Sequence, residues 1–392
     1  MKDLICGIIV EYNPLHNGHV YHLERALSLG RRVVAVMSGN FVQRGEPAIY
    51  DKFKRTRAAL LSGVDMVLEL PCGFATASAE LFAYGAVKTL ACTNIVDYLC
   101  FGAEAESIEP LYALAKLLSD EPPEYIAPLR AALSEGLSYP RARHLALKAA
   151  RPDIADIVNE PNNILGIEYL KAIVKNNLDI TPVAIQRTGR GHNEGDIKEG
   201  YASAKAIRRH IWAKEPTSRL KAFMPRGSFD ITAAAVHENA ICHIDLLSPI
   251  LHFILKLQKN KGVSKIYSER EGIGNRLYEA ARHNSGISGI LAAAKTKRYT
   301  HTYLSRLIIH TLLNLERSPQ EPMYIRVLGI RKEARPLLGL LSKNAALPVI
   351  TNPKQAQAAL SQDLFATELY NIALKQNNIP ELDEFRQGLI IL

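Results

Sequence analysis

LICGIIVEYNPLHNGHVYHLERALSLG, residues 4–30, begins as an apolar run, turns through a proline and two histidines, and continues with apolar residues at helical spacing. The first part, DLICGIIVEYN, predicts a buried strand, and GHVYHLERALSLG predicts an amphipathic helix ending at Gly30. The turn between them holds His16, Asn17, Gly18 and His19. Pro14 fixes φ, and Gly18 lets the backbone come close to a ligand. The helix N-terminus offers free N–H groups and the positive end of its dipole, a ready anion site. Two imidazoles at the same turn add donors that can reach phosphate oxygens. That suits transfer at an α-phosphate, where charge grows on the oxygens as the transition state forms. A zinc site is one competing reading, but no carboxylate lies at ligand spacing on that helix face; a pair of ordinary polar turn histidines is the other.

The alternation continues. RRVVAVMSG, VDMVLELP and VDYLCFG predict three further strands; DKFKRTRAALLSG, with Asp51 as N-cap and Gly63 as its end, and SAELFAYGAVKTLA predict the helices between them. Strands this uniformly apolar predict a parallel sheet covered on both faces, with ligands at the carboxyl ends of the strands. Residues 104–178 read as mostly helical, before DITPVAIQR returns as a strand. Beyond about residue 217 the pattern is helical, interrupted by two short strand candidates, PMYIRVLG and LPVITN. The expectation is an α/β chain: a sheet domain over 1–216 with a helical insertion at about 104–178, then a mainly helical domain over 217–392.

The 392 residues are 47% apolar and 22% charged, ordinary for a globular protein. No apolar run approaches the roughly 20 residues of a membrane helix, so no membrane partner is expected. The N-terminal strand lacks the basic region and cleavage site of a secretion signal. Five scattered cysteines without a C-x-x-C pair read as inert buried thiols in a reducing cytoplasm. The net charge is +9, and residues 261–335 alone hold 14 Lys/Arg against 6 Asp/Glu, an excess of 14 − 6 = 8. A field so localised predicts a polyanionic partner, the bland reading being a solvated helical surface. Within it KTKRYTHTYLSR interleaves Lys295, Lys297, Arg298 and Arg306 with Tyr299 and Tyr303. Phosphate contacts with base stacking would suit RNA, although tyrosines four apart also fit one packed helix face.

Taken in order, VEYNPLHNGHVYHL, VMSGNFVQRGEPAIYDKFKR, DMVLELP, YLCFGAE, EPNNILGIEYL, IQRTG and YASAKAIR resemble the bacterial tRNA(Met) cytidine acetate ligase family. The His16-Asn17-Gly18-His19 turn is similar to the HxGH signature of the nucleotidyltransferase superfamily, which shares its ATP site with class I aminoacyl-tRNA synthetases. The resemblance implies a Rossmann-like nucleotidyltransferase fold of the HIGH type. It implies an enzyme that uses ATP, with Mg2+, to activate acetate as acetyl-adenylate. The acetyl group then passes to N4 of the wobble cytidine of elongator tRNA(Met) in the cytoplasm. It also implies an ATP site formed by Gly7, Ile8, Ile9, Val10, Glu11, Tyr12, Asn13, Pro14, Leu15, His16, Asn17, Gly18, His19 and Val20, with His16 and His19 catalytic and Gly102 and Arg187 in contact with nucleotide. YASAKAIRRH resembles the second superfamily motif, which implies that Ser203, Lys205 and Arg208 hold the distal phosphates; Lys205 and Ala206 stand where small hydroxyl residues are usual. No metal-ligand motif is evident.

Other segments add candidates. In SGNFVQRGEPA, Arg44 suits a carboxylate or phosphate, with Asn40 and Gln43 beside it. Lys52, Lys54, Arg55 and Arg57 could line an RNA path, but a solvated helix face is the favoured reading. Asn162 and Asn163 follow Pro161 at a helix start; one should cap the helix and the other is left to meet nucleotide. Arg190 and His192, in the loop after Arg187, could face RNA or ATP. Two other readings are carried: adenylyl transfer to a phosphorylated small molecule, and a non-catalytic RNA-binding protein.

Overall fold

The computed structural model describes residues 4–187, 202–261, 266, 269 and 272–392. The apolar runs form parallel strands. β1 (Ile5–Val10) lies between β2 (Arg32–Ser38) and β6 (Tyr98–Ala103), with Ile5 opposite Arg32 and Ile8 opposite Cys100. β5 (Met66–Leu70) extends the sheet beyond β2, and β7 (Thr181–Gln186) extends it beyond β6. Between β2 and β5 lies a small antiparallel hairpin, β3 (Phe41–Val42) and β4 (Glu46–Pro47). The chain thus winds outward from β1 to β2 and β5 on one side, then to β6 and β7 on the other. The reversal falls between β1 and β6, and ligands of such sheets bind at their carboxyl ends there.

Strand side chains alternate between two cores. Cys6, Ile8, Val33, Ala35 and Val67 face α1 (Asn17–Leu29) and α2 (Lys52–Leu61). Ile5, Val34, Val36, Met66 and Leu68 face α4 (Ala79–Ala91), which follows the short α3 (Cys72–Ala75). The segment read as a helical insertion is α5 (Glu109–Asp120), α6 (Pro123–Ser134), α7 (Tyr139–Ala150) and α8 (Pro161–Lys175). Of these, α8 packs on α4 and leads into β7.

The C-terminal half holds α9 (Ala204–Trp212), α10 (Arg226–His237), α11 (Ser248–Lys261), α12 (Ile273–His283), α13 (Ile287–Ala294) and α14 (His301–Leu312). It closes with α15 (Pro336–Asn344) and α16 (Ser361–Lys375). Helices α11–α14 and α16 share a core of their own, including Leu251, Leu277, Leu307 and Tyr370. The two strand candidates are real: β8 (Ile325–Ile330) and β9 (Val349–Ile350), joined by β10 (Ile390–Ile391), which the sequence reading did not anticipate. β8 pairs antiparallel with β5, while β9 and β10 run parallel to β8 on its other side. The sheet is therefore mixed, and it crosses the boundary expected at 216/217.

A buried ionic cluster fastens this junction. Lys52 meets Glu69 at 2.6 Å and Glu384 at 2.5 Å, and Arg326 meets Glu69 at 3.0 Å and also Glu384. This corrects the solvated-face expectation for Lys52 and Arg55, while Lys54 is half-buried and Arg57 is exposed as expected. Lys52 is 1% exposed and Arg55 is fully buried, its guanidinium donating to the carbonyls of Glu11, Ser38, Gly39 and Tyr50. Arg326 is likewise one of the basic residues counted toward the C-terminal excess, and it is spent inside the protein. Among the described residues, no helix is long and apolar enough to cross a membrane.

Candidate active site

The turn after β1 is held from several directions. Tyr12 has φ +46° and the Asn13–Pro14 peptide is cis. Asn13 Oδ1 accepts from Ile49 N–H at 2.8 Å, and Ser228 of α10 donates to the Leu15 carbonyl at 2.8 Å. Asn17 donates from its backbone and side chain to the carbonyls of Phe223 and Ala222, at 2.9 and 3.0 Å.

His16 is the N-cap of α1. Its Nδ1 accepts from Gly18 N–H at 3.1 Å, and His19 Nδ1 accepts from His16 N–H at 3.2 Å. This is a reciprocal capping box built from imidazoles instead of a hydroxyl and a carboxylate. The rings stack with centroids 3.8 Å apart and planes 25° from parallel. A Cβ on Gly18 would stand 3.0 Å from the His16 ring, so glycine is what lets that ring fold over the helix end. Because each Nδ1 accepts a hydrogen bond, each neutral ring carries its proton on Nε2.

Both rings are neutral at pH 7. Burial, then the charge of Arg187, pushes His16 down to about 3. Burial, then His16, Arg187 and His22, holds His19 well below the usual imidazole range. His22, with Nε2 3.5 Å from Cys100 Sγ, is pushed down to about 4 by burial and secondarily by Arg187, against the opposing effect of a Cys100 backbone hydrogen bond. In the C-terminal half His310, bonded to the Thr76 carbonyl at 2.8 Å, is also lowered to about 4, mainly by burial. All of these values lie below that of an unfolded histidine. Stability is therefore complete above about pH 6.5 and falls as pH drops toward 4, where the unfolded chain takes up protons that the folded chain refuses. We expect a lower urea midpoint at pH 5 than at pH 8, and His16, His22 and His310 ring resonances that do not titrate over that interval. Resonances titrating near pH 6.5 would overturn this reading of the burial.

Gly102 is the penultimate residue of β6. The Arg187 stem lies against it, 3.3 Å from where a Cβ would stand. Neither asparagine caps α8, whose N-cap is Glu160 with Pro161 in the first turn. The physical reason is Glu104, which accepts from Asn163 N–H at 3.0 Å and from the Asn162 amide, satisfying the helix end from outside. Asn163 is buried, its Oδ1 accepting from Glu104 and Ala105 N–H at 2.8 and 3.0 Å and its Nδ2 donating to Ile157 at 3.2 Å. Asn162 stands at the site, accepting from Arg187 at 3.4 Å. The structure thus separates the pair: Asn163 shapes the loop, and Asn162 pairs with Arg187.

Ser203 caps α9, accepting from Ala206 N–H at 3.2 Å, with Lys205 half-buried in its first turn. Arg208 is buried and has protein partners: it donates to the Asn13 carbonyl at 2.7 Å and to Glu46 at 2.6 Å. Those bonds tie the β1 turn to the hairpin. Arg44 is exposed at the hairpin tip, where Gly45 has φ +78° and packs against the α14 backbone. Asn40 is buried, accepting from Lys52 N–H and donating to Thr367. Lys295, Lys297 and Arg298 are exposed, Tyr299 and Arg306 half-buried. Tyr299 stacks on Tyr303 with centroids 5.8 Å apart, both rings lie against the C-terminal core, and Arg298 sits over the Tyr299 ring. Arg190 and His192 lie outside the described residues.

Glu46 and Glu104 were not singled out from the sequence, although both lie in quoted motifs, RGEPA and FGAE. A carboxylate among cationic and glycine-rich loop residues at a sheet's carboxyl edge was the available signal. Among the described residues no three His, Cys, Asp or Glu side chains converge to hold a metal ion.

The profile of the HIGH Nucleotidyl Transferase family matches residues 3–384. A tRNA(Met) cytidine acetate ligase of Caldanaerobacter subterraneus subsp. tengcongensis is 40% identical over 394 residues, covering 97% of this chain and 98% of that protein. One from Clostridium acetobutylicum is 36% identical over 406 residues, covering 99% and 100%. Among solved structures, Thermotoga maritima TmcAL bound with alpha-thio ATP superposes with a TM-score of 0.88 at 32% identity, and the apo form with 0.91; each comparison covers 99% of this chain and 100% of the other. Agreement end to end, in a chain whose first turn already carries the paired histidines, places it: the chain belongs to the tRNA(Met) cytidine acetate ligase family of HIGH nucleotidyl transferases.

Proposed function

We propose that this protein activates acetate with ATP and transfers the acetyl group to N4 of the wobble cytidine of elongator tRNA(Met), a cytoplasmic reaction. The observation that carries the reading is the reciprocal histidine cap. It fixes two neutral imidazoles with protonated Nε2 atoms at the carboxyl end of β1, beside the sheet's reversal. Preorganised neutral donors of this kind suit charge that develops at the α-phosphate.

In the first step an acetate oxygen attacks the α-phosphorus and pyrophosphate leaves. His16 and His19 hydrogen-bond the α-phosphate oxygens. Gly102 and Asn162 lie along the nucleotide, Arg187 supplies positive charge, and Ser203 and Lys205 at the α9 N-terminus take the distal phosphates. Arg208 acts by holding the Asn13 carbonyl, and Arg44 is the candidate for acetate. Magnesium would arrive with the nucleotide, held by its phosphate oxygens. In the second step the cytidine N4 attacks the acetyl carbon, the bond to the AMP oxygen breaks, and N4 gives up a proton. We assign ATP chemistry to residues 1–216 and RNA contact to the surface of 217–392, through Lys295, Lys297, Arg298, Tyr299 and Arg306.

The test is mass spectrometry of nucleosides from tRNA(Met) incubated with protein, ATP and isotopic acetate. Label in N4-acetylcytidine at the wobble position is expected. Pyrophosphate release that needs no acetate, or label in no nucleoside, would sink the reading. Replacing Lys297 and Arg298 by alanine should flatten the salt dependence of tRNA binding by up to about two phosphate contacts, at a slope of roughly 0.7–0.9 each. An unchanged slope would remove those two from the interface.

A further inference from the structure

A cavity of about 160 Å³ opens where the hairpin, the end of α9 and the N-terminal turns of α13 and α14 meet. We propose that it is the pocket for the acceptor base, and that Glu46 in its wall reads the exocyclic amine of a cytosine. The inference rests on the function proposed above and adds a site to it.

Size sets the first limit. An apolar cavity of about 150 Å³ admits one benzene-sized ring, so this space suits a pyrimidine and is small for a purine. Its walls match that guest. Trp212, Ile244 and Leu291 give apolar surface, and Trp212 is braced edge-on by His243 with ring centroids 4.7 Å apart. Glu46, His243 and His301 give polar edges. A carboxylate only accepts hydrogen bonds, so it takes an amine such as cytosine N4 and repels the carbonyl that uracil presents at the same place.

Position gives the second limit. Arg208 donates to Glu46 through one nitrogen and to the Asn13 carbonyl through the other, and its guanidinium lies 5.7 Å from the Trp212 ring. One guanidinium therefore separates the cavity wall from the turn that carries His16. A base whose amine meets Glu46 therefore lies next to the turn that carries His16. His301, which lines the cavity, is held below the usual imidazole range by burial, then by Lys295 and, against the opposing charge of Glu46, by Lys205; positive charge near the cavity fits a nucleic acid strand. Lys205 belongs to the helix end assigned to the ATP phosphates, so both substrates approach the same edge.

Two experiments test this. Ser288, exposed at the rim, becomes tryptophan (Ser288→Trp) to fill the entrance. Acetate-dependent ATP–pyrophosphate exchange and Tm should match wild type, while kcat/KM for acetyl transfer to tRNA falls at least tenfold. Transfer within twofold of wild type overturns the pocket, as does loss of exchange at an unchanged Tm, which would make the cavity part of the ATP site. The second experiment does not depend on that variant folding. Wild-type protein should bind tRNA with cytidine at the acceptor position about tenfold more tightly than tRNA with uridine there, and Glu46→Gln should erase the difference. Equal binding by the wild type overturns the assignment. Absence of any acetate-dependent exchange in the wild type would instead overturn the function on which it rests.

Discussion

His16→Asn and His19→Ala should each lower acetate-dependent pyrophosphate release by about 10²–10³-fold, the usual loss when one transition-state donor is removed. ATP affinity should change far less, because the lost contact strengthens only as charge develops on the α-phosphate. The two substitutions separate catalysis from capping. Each Nδ1 accepts a backbone hydrogen bond at the start of α1, and loss of such a cap costs about 0.5–2 kcal/mol. Asparagine is itself a good N-cap, so His16→Asn should keep the Tm of the parent while losing the Nε2 proton. His19→Ala loses both, and its Tm should fall modestly as well. The rings stack and cap one another, so the double variant should be little worse than the worse single one. A His16→Asn protein with wild-type pyrophosphate release would reduce the pair to a structural cap.

The parts of this site legible in the sequence were those fixed by local geometry. A strand, a proline, a glycine and two histidines within fifteen residues determine a turn and a helix end, and the structure places them so. Gly102 and Arg187 meet because β6 and β7 pair in register, with Gly102 opposite Ile185, an arrangement that strand-helix alternation already implies. What composition hides is partnership between distant segments. Arg208 sits in a motif that points to phosphate, yet its partners are the Asn13 carbonyl and Glu46, far away along the chain. Asn162 and Asn163 are adjacent in a helix's first turn, and only the fold, by bringing Glu104 to that helix end, gives one to the loop and the other to Arg187. The same limit applies to charge. Lys52 and Arg55 lie four positions before or within a turn of other cations, a pattern that reads as solvent-facing, and nothing nearby announces the carboxylates at 69 and 384 or the strand carbonyls that receive them.

That hidden cluster gives the largest expected effect on stability. Arg326→Met should destabilise the protein by about 3–5 kcal/mol, the usual cost of removing one partner from a buried ionic set. Lys52 would be left alone against Glu69 and Glu384, all three nearly inaccessible to water. Burial alone would raise the Glu384 carboxyl, but Lys52 and Arg326 outweigh it and hold it down to about 2. Nearby Asp363, bonded by Tyr324 and by Cys72 N–H, is pushed up to about 6 by burial and then by Glu69. Removing the Arg326 charge pushes the Asp363 and Glu384 carboxyls upward in the folded state. A raised carboxyl contributes stability while protonated and loses it as pH climbs through the folded value. The penalty should therefore be larger at pH 8 than at pH 5.5. Adding Glu69→Gln to Arg326→Met leaves Lys52 and Glu384 balanced, and should recover part of the loss, giving a coupling energy of about 0.5–3 kcal/mol in the double-mutant cycle. Since Glu69 belongs to β5, Arg326 to β8 and Glu384 to the C-terminal tail, the coupling would measure how firmly the C-terminal half is fastened to the catalytic sheet. A loss under about 1 kcal/mol, equal at both pH values, would mean that water reaches the cluster and that the pairing of β5 with β8 holds the two halves together without it.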